Sequence, residues 1–187
     1  MRILKIKKQN SSQVFREAVK AIKNGQVIVC PTDTVYGLVC DATNKKAVDK
    51  LFKIKRRPRK KPIPFFVKDI KMAKKLASID KTQEAFLKNV WPGKITVVLK
   101  SKKRDTIGLR IPNHFVLNLV KHINCPLTGT SANISGRPAS TRIKEVLKQF
   151  KSQKAKPGLV LDAGNLPKSK PSTVIDLTIW PPKILRF

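Results

Sequence analysis

The chain of 187 residues carries 41 Lys and Arg against 11 Asp and Glu, a formal net charge of +30, and 41% of its residues are hydrophobic. This composition predicts a folded domain rather than a disordered basic tail, and no apolar run approaches the roughly 18 residues of a transmembrane helix. The excess of positive charge favours a polyanionic partner such as RNA or a nucleotide, and the absence of an apolar leader predicts a cytoplasmic protein.

The first predicted elements are a helix, a strand and a second helix. SSQVFREAVKAIKNG predicts a helix with Ser11 or Ser12 as its N-cap and Gly25 as its stop, and QVIVC predicts a short strand. The loop PTDTVYG comes next. Asn44 is predicted to cap the second helix, NKKAVDKLFKIK, which ends because Pro58 disfavours helical geometry at the residue before it.

Helices and strands continue to alternate before the chain ends in strands. IPFFV, KITVVLK and TIGLRI are predicted strands, and helices are predicted around 69–77 and 80–90. NHFVLNLVKHI is a predicted helix, PLTGT a strand, SANISGRP a loop and STRIKEVLKQF a helix. The last predicted strands are GLVLD, STVID and KILRF. This order predicts a single α/β domain with a mixed parallel and antiparallel sheet.

Several common catalytic and binding motifs are missing from the sequence. It has neither a P-loop motif nor a G-x-G-x-x-G after a predicted strand. His114 and His122 have no third ligand, so no metal site is predicted. No Ser-His-Asp or Cys-His arrangement stands out. An enzyme built from this chain would therefore work by positioning and electrostatic stabilisation.

The segment KIKRRPRKK places two cations where the second predicted helix ends. Lys55 and Arg57 stand two residues apart, and Pro58 stiffens the chain after them, so both side chains can point at one polyanion. The other cations of this segment are expected to form a solvated basic surface. A nuclear-localisation signal is the less favoured alternative, because an apolar strand directly follows.

Hydroxyl and amide side chains also collect at predicted strand ends. TSANISG supplies Ser131, Asn133 and Ser135, which can bind phosphate or ribose oxygens or can simply form a turn. PTDTVYG supplies Thr32 and Thr34, for which a capped turn is again the alternative.

Arg110 lies inside the apolar strand TIGLRIP. A charge in that position needs a protein acid or a ligand carboxylate as its partner. The small number of acids in the chain favours a ligand.

Six segments occur in an order that resembles the threonylcarbamoyl-AMP synthase family, the YrdC-like domain proteins. They are PTDTVYGL, KRRP with the proline-rich start of the next strand, WPGKITVVL, GLRIP, TSANISGRP and PSTVID, across residues 26 to 176. The resemblance implies a twisted sheet flanked by helices, with a concave basic face. It also implies a nucleotidyltransferase that converts L-threonine, bicarbonate and ATP, with Mg²⁺, into threonylcarbamoyl-AMP and pyrophosphate. Partner proteins of a threonylcarbamoyl-transferase complex would then transfer the threonylcarbamoyl group to N6 of adenosine 37 in tRNA.

The resemblance also implies roles for individual residues. Lys55 and Arg57 are the expected catalytic residues, because they would stabilise charge at the α-phosphate. The implied ATP-binding residues are Lys55, Arg57, Lys61, Ser131, Asn133 and Arg186. The implied threonine-binding residues are Thr32, Thr34, Arg110 and Ser172, with Arg110 taking the carboxylate as a forked pair and Thr32 and Thr34 left unranked.

Three positions depart from the family pattern, and two alternatives remain open. Lys61 stands where relatives often have Asn, Phe66 where some have His, and Ala139 where Ser is frequent.

The end at Phe187 resembles the short members, so residues 1–187 are expected to form one domain. The alternatives are a catalytically silent YrdC-like paralogue that binds tRNA or double-stranded RNA, and a purely RNA-binding module. Neither would consume ATP in a threonine-dependent way.

Overall fold

The computed structural model describes residues 1–103 and 105–187, and these form a mixed α/β fold of eleven strands and six α-helices. The helices are α1 (Ser11–Lys23), α2 (Lys45–Lys55), α3 (Ile70–Leu76), α4 (Lys81–Val90), α5 (Phe115–Ile123) and α6 (Ile143–Phe150). The strands are β1 (Arg2–Lys5), β2 (Ile28–Cys30), β3 (Gly37–Val39), β4 (Phe65–Phe66), β5 (Ile95–Lys100), β6 (Thr106–Arg110), β7 (Leu127–Thr128), β8 (Thr130–Ser131), β9 (Leu159–Asp162), β10 (Thr173–Asp176) and β11 (Lys183–Arg186). The predicted α/β class is confirmed.

The strands divide between two sheets, whereas the sequence predicted one. The first sheet has the order β1-β9-β2-β3-β8, and the second has the order β11-β10-β5-β6-β4-β7. Both are mixed: β9 pairs in parallel with β1 and β2, and β10 with β5, while β2–β3 and β5–β6 are antiparallel.

The segment PLTGT, predicted as one strand, is split between the two sheets. Its first half pairs as β7 with β4, and its second half pairs as β8 with β3. Gly129 lies at the crossing, where a Cβ atom would come within 2.9 Å of the Phe66 ring. A residue without a side chain is needed there because the chain passes directly over that ring.

Two apolar clusters hold helices against the sheets. Alternate residues of one strand point to opposite faces, so Ile28 and Cys30 join the cluster under α1, α3, α4 and α5, while Val27 and Val29 join the one under α2 and α6. The second sheet contributes Val97 and other residues to the first cluster. Its opposite face carries polar and small residues and opens towards the loop after β8.

Of the two helix N-caps predicted from the sequence, one is confirmed and one is wrong. The Asn44 side chain accepts a hydrogen bond from the Ala47 N–H at 3.0 Å, which confirms the predicted cap of α2. The prediction of Ser11 or Ser12 as the N-cap of α1 is wrong: Asn10 holds that position because a 3-10 turn over Lys8–Asn10 leads directly into the helix. Within the described residues, no helix has the length and apolar character needed to cross a membrane.

Candidate active site

A cavity of about 510 Å³ lies between the open face of the second sheet and the loop that follows β8. Its volume is within the usual range for small-ligand sites. The residues predicted to bind ATP all line it: Lys55, Arg57, Lys61, Ser131, Asn133 and Arg186. The structure therefore brings together side chains from the end of α2, the loop after it, the loop after β8, and β11.

Lys55 is bound to the protein rather than free in the cavity. Its side chain is only 2% exposed, and Nζ donates to the Ser131 carbonyl at 2.6 Å, the Asn133 carbonyl at 3.1 Å and Asn133 Oδ1 at 2.8 Å. A lysine ammonium has three donors, so all of them have partners. In this arrangement Lys55 fastens the end of α2 to the loop after β8.

The polar atoms of the Asn133 side chain are also hydrogen-bonded within the protein. Oδ1 accepts from Lys55 and from the Ser131 hydroxyl, the latter at 2.6 Å, while Nδ2 donates to the carbonyls of Ile134 and Arg137. A direct ATP contact through Lys55 or Asn133 stays a prediction, and it would require these bonds to be exchanged. The observed geometry suits a role in holding the loop.

The environment of Lys55 disfavours its charge. Burial lowers the pKa of Lys55 to about 7, and repulsion by Arg57 adds to this lowering. The three oxygens around Nζ favour the charged form, but the desolvation of the amine dominates.

We expect the free energy of unfolding to rise with pH between about 7 and about 8.5. Folded Lys55 releases its proton near pH 7, whereas the amine in the unfolded chain keeps it to about 10.5. The unfolded state therefore binds more protons in this window, and stability increases by up to about 1.4 kcal/mol per pH unit. Urea unfolding of the wild type and Lys55→Met measures the slope, which the variant should lack; equal slopes would contradict the assignment.

Three arginines concentrate positive charge beside this cavity. Burial lowers the pKa of Arg57, and the charge of Arg186 lowers it further. Burial also lowers the pKa of Arg110, where Asp33 opposes the shift and Arg186 adds to it. No Asp or Glu lies among the residues that line the cavity in the described part of the chain. Arg57 and Arg186 line the cavity without an acid to neutralise them there, and they create a strong field for an anion.

Arg57 is held in place by the backbone of its own loop. Nε donates to the Lys61 carbonyl at 2.8 Å, and Nη2 donates to the Pro62 carbonyl at 2.9 Å. The guanidinium is thereby oriented before any ligand arrives.

Arg110 has a protein partner, which corrects the preference for a ligand carboxylate. The residue is 3% exposed, Nη2 forms a salt bridge with Asp33, and Nε donates to the Gly93 carbonyl at 2.8 Å. The guanidinium also lies 5.9 Å from the Phe66 ring centroid. A role for Arg110 in threonine binding stays a prediction, now with Asp33 sharing its charge.

The structure distinguishes the two threonines of PTDTVYG. Thr32 Oγ1 donates to the Val35 carbonyl at 2.6 Å and accepts from the Thr34 N–H at 3.1 Å. Because that proton is used, the 3.0 Å contact between the two hydroxyls is best made with Thr34 as the donor. Thr34 Oγ1 then keeps free acceptor capacity, so Thr34 is the better placed of the two to contact a ligand.

Ser172 connects the predicted threonine-binding residues to the cavity. Its hydroxyl lies 2.9 Å from Thr96 Oγ1, which lines the cavity, and its carbonyl accepts from Arg186 Nη2 at 2.6 Å. Thr32, Thr34, Arg110 and Ser172 are all buried and do not line the main cavity themselves. The predicted ATP-binding residues and the predicted threonine-binding residues are therefore adjacent, but they do not line one continuous cavity.

Sequence reasoning assigned no role to three residues that the structure places at or beside the site. They are Asp33, Thr96 and Thr106. Thr96 and Val98 on β5, and Thr106 and Gly108 on β6, alternate along their strands, and this period of two marks them as one face. That signal was present in the sequence, but only the sheet pairing shows which face meets the cavity.

Comparison with known proteins shows which proteins the chain is similar to. The Sua5/YciO/YrdC family model, described as "Telomere recombination", matches residues 20–187. A protein of Pseudoalteromonas translucida named threonylcarbamoyl-AMP synthase is 34% identical over 172 residues, covering 85% of this chain and 90% of that protein. The threonylcarbamoyl-AMP synthase of Pyrococcus abyssi is 33% identical, covering 98% of this chain but only 56% of its own length. A crystal structure of P. abyssi Sua5 complexed with L-threonine has a TM-score of 0.90 at 32% identity, covering 100% of this chain and 57% of that one.

Proposed function

The chain belongs to the Sua5/YciO/YrdC family, and from that premise we propose that it is an L-threonylcarbamoyladenylate synthase. It would combine L-threonine, bicarbonate and ATP into threonylcarbamoyl-AMP, pyrophosphate and water. The observation that carries this proposal is the pair of Arg57 and Arg186 at a cavity whose described lining has no acid, with the buried Arg110–Asp33 salt bridge beside it. A site of this kind suits a nucleotide polyphosphate next to a second, smaller anion.

The proposed reaction has two bond-forming stages. The amine of threonine takes up bicarbonate with loss of water and becomes N-carboxythreonine. A carboxylate oxygen of this intermediate then attacks the α-phosphorus of ATP, and the bond from that phosphorus to the oxygen bridging to the β-phosphate breaks. The electron pair leaves with pyrophosphate. No nucleophile from the protein is needed, so positioning and charge stabilisation would supply the catalysis.

The residues around the cavity would have two roles in this reaction, phosphate binding and positioning of the loop. Arg57, Lys61 and Arg186 would bind the phosphates, with Arg57 stabilising charge that develops at the α-phosphate. Lys55, with Ser131 and Asn133, would hold the loop that closes this side of the cavity.

The threonine substrate would bind beside Asp33. Arg110 would take its carboxylate, and Thr34 and Ser172 would contact its remaining polar groups. Phe66, buried beneath the Arg110 guanidinium, would form an apolar floor.

We propose that Mg²⁺ enters as part of the MgATP substrate. It prefers carboxylate and phosphate oxygens, and the described cavity lining offers hydroxyls and cations but no carboxylate. In the described residues there is also no cluster of three or more His, Cys, Asp or Glu suited to a metal ion. The phosphates themselves are therefore the proposed ligands.

We further propose that the product serves tRNA modification at position 37, in the cytoplasm, through threonylcarbamoyl-transferase partners. The net charge of +30 supports a direct contact with tRNA, which should weaken steeply as salt increases.

The test is pyrophosphate release from MgATP and bicarbonate, with and without L-threonine and with L-serine as the control substrate. Release that depends on threonine and on bicarbonate is the expected result. An absence of threonine-dependent release, together with intact salt-sensitive tRNA binding, would instead support a catalytically silent RNA-binding protein.

A further inference from the structure

A tight turn after β8 presents two residues to the cavity. The Arg137 N–H donates to the Ile134 carbonyl at 2.9 Å, so Ser135 and Gly136 are the central residues of the turn. Gly136 has φ +85°, the value that the third residue of a type II turn requires. Both central residues line the cavity, and a Cβ atom at Gly136 would meet no atom within 4 Å. The turn therefore has open space beside Gly136.

The backbone of this turn is fixed. The Ser135 N–H donates to the Lys55 carbonyl at 2.8 Å, and the Lys55 side chain binds the preceding part of the same loop. Lys55 thus holds residues 131–135 through its side chain and its backbone carbonyl, which fixes the backbone at Ser135.

The hydroxyl of Ser135 has no hydrogen-bond partner in the described chain, although its oxygen is buried. A hydroxyl carries one donor and two acceptor positions, and leaving them unmatched in a buried place is unfavourable. The neighbouring polar side chains do not share this condition, because Ser131 and Asn133 are hydrogen-bonded to each other and to the loop. Among the buried side-chain polar atoms of the described residues, the Ser135 hydroxyl is the exception.

The chemistry of the surroundings indicates what the hydroxyl would meet. Arg57, Lys61 and Arg186 line the same cavity, and no acid in the described chain does so. A ligand drawn to these cations carries anionic oxygens, which accept a hydrogen bond from a hydroxyl more strongly than a neutral oxygen does.

Resting on the proposed function, we infer that the Ser135 hydroxyl donates a hydrogen bond to a phosphate oxygen of the nucleotide. Lys55 and Asn133, whose side-chain donors and acceptors are already used, act as positioning residues for this contact. The loop would therefore bind the nucleotide through a serine that carries no structural hydrogen bond.

The experiment compares Ser135→Ala with Ser140→Ala. Ser140 is a buried serine whose hydroxyl donates to Glu145 and accepts from the Arg142 N–H, and it does not line the cavity. Titration calorimetry would measure the Kd for MgATP and for inorganic tripolyphosphate, and thermal unfolding would measure Tm.

Ser135→Ala is expected to raise both Kd values about tenfold or more, because a hydrogen bond to a charged group is lost. Its Tm should stay the same or increase by about 2–4 °C, because an unpaired buried hydroxyl is removed. Ser140→Ala should show the opposite pattern, a lower Tm with unchanged Kd values. Ser135→Cys, which keeps the size and a weak donor, should give intermediate affinity and serves if the alanine variant does not fold.

The outcomes separate this inference from the proposed function. A wild-type protein that binds neither MgATP nor tripolyphosphate would overturn both. Wild-type binding that Ser135→Ala leaves unchanged would overturn the Ser135 contact alone. Weaker binding of MgATP with unchanged binding of tripolyphosphate would overturn the phosphate assignment, since the hydroxyl would then contact the nucleoside.

Discussion

Replacing Arg57 with alanine is expected to lower turnover by on the order of 10²-fold or more. The side chain borders the cavity, and the carbonyls of Lys61 and Pro62 orient its guanidinium before substrate binds. A preorganised cation of this kind stabilises developing charge without having to reorganise during the reaction. The measurement is kcat for threonine-dependent pyrophosphate release, with the Kd for MgATP determined in parallel.

The matched control is Arg59→Ala, two residues further along the same loop. Arg59 forms a salt bridge with Asp49 and lies 4.7 Å from the Phe52 ring centroid, and it does not line the cavity. Both variants lose one positive charge from the loop, so a general electrostatic effect would lower both activities equally. Near-normal turnover in Arg57→Ala would remove Arg57 from the mechanism.

Replacing Arg110 with methionine is expected to lower the free energy of unfolding by about 3–5 kcal/mol. Asp33 would be left in a largely buried place, and within residues 1–103 and 105–187 its one remaining donor would be the Asn113 N–H at 3.2 Å. Threonine-dependent activity should be lost as well, because the proposed carboxylate contact disappears. Urea unfolding and the threonine dependence of pyrophosphate release measure the two effects separately.

The double variant Arg110→Met, Asp33→Asn distinguishes the structural role of Arg110 from its proposed substrate contact. It removes both charges, so much of the lost stability should return. Activity should not return, because no cation remains to bind the threonine carboxylate. A double variant that regains both would limit Arg110 to its structural pairing with Asp33.

Much of the site was predictable because its segments occur in a recognisable order. The cavity brings together Lys55, Arg57 and Arg186, which the motifs implied as ATP-binding residues, although β11 is far along the chain from α2 and its following loop. What the motifs could not indicate was the hydrogen-bonding state of each side chain. Lys55 was expected to reach phosphate, yet its three donors meet oxygens of the chain 76 and 78 residues away.

Features that depend on neighbours along the chain could be predicted from the sequence alone. Asn44 caps α2 through the Ala47 N–H three residues on, and α2 ends at Lys55, shortly before Pro58. The positive φ of +68° at Gly25 closes the end of α1. Such features follow from the conformational preferences of a few adjacent residues, which are written directly in the sequence.

Contacts between distant segments could not be predicted from the sequence and became visible in the folded chain. Asp33 pairs with Arg110 across 77 residues, and the PLTGT segment splits between two sheets because Gly129 passes over the Phe66 ring. The unmatched hydroxyl of Ser135 is likewise visible only once its surroundings are in place. Periodicity and capping specify each element, but they do not specify which faces meet. That outcome depends on packing the whole chain, in which both sheets contribute to one of the two apolar clusters, and the site forms between the second sheet and the loop after β8.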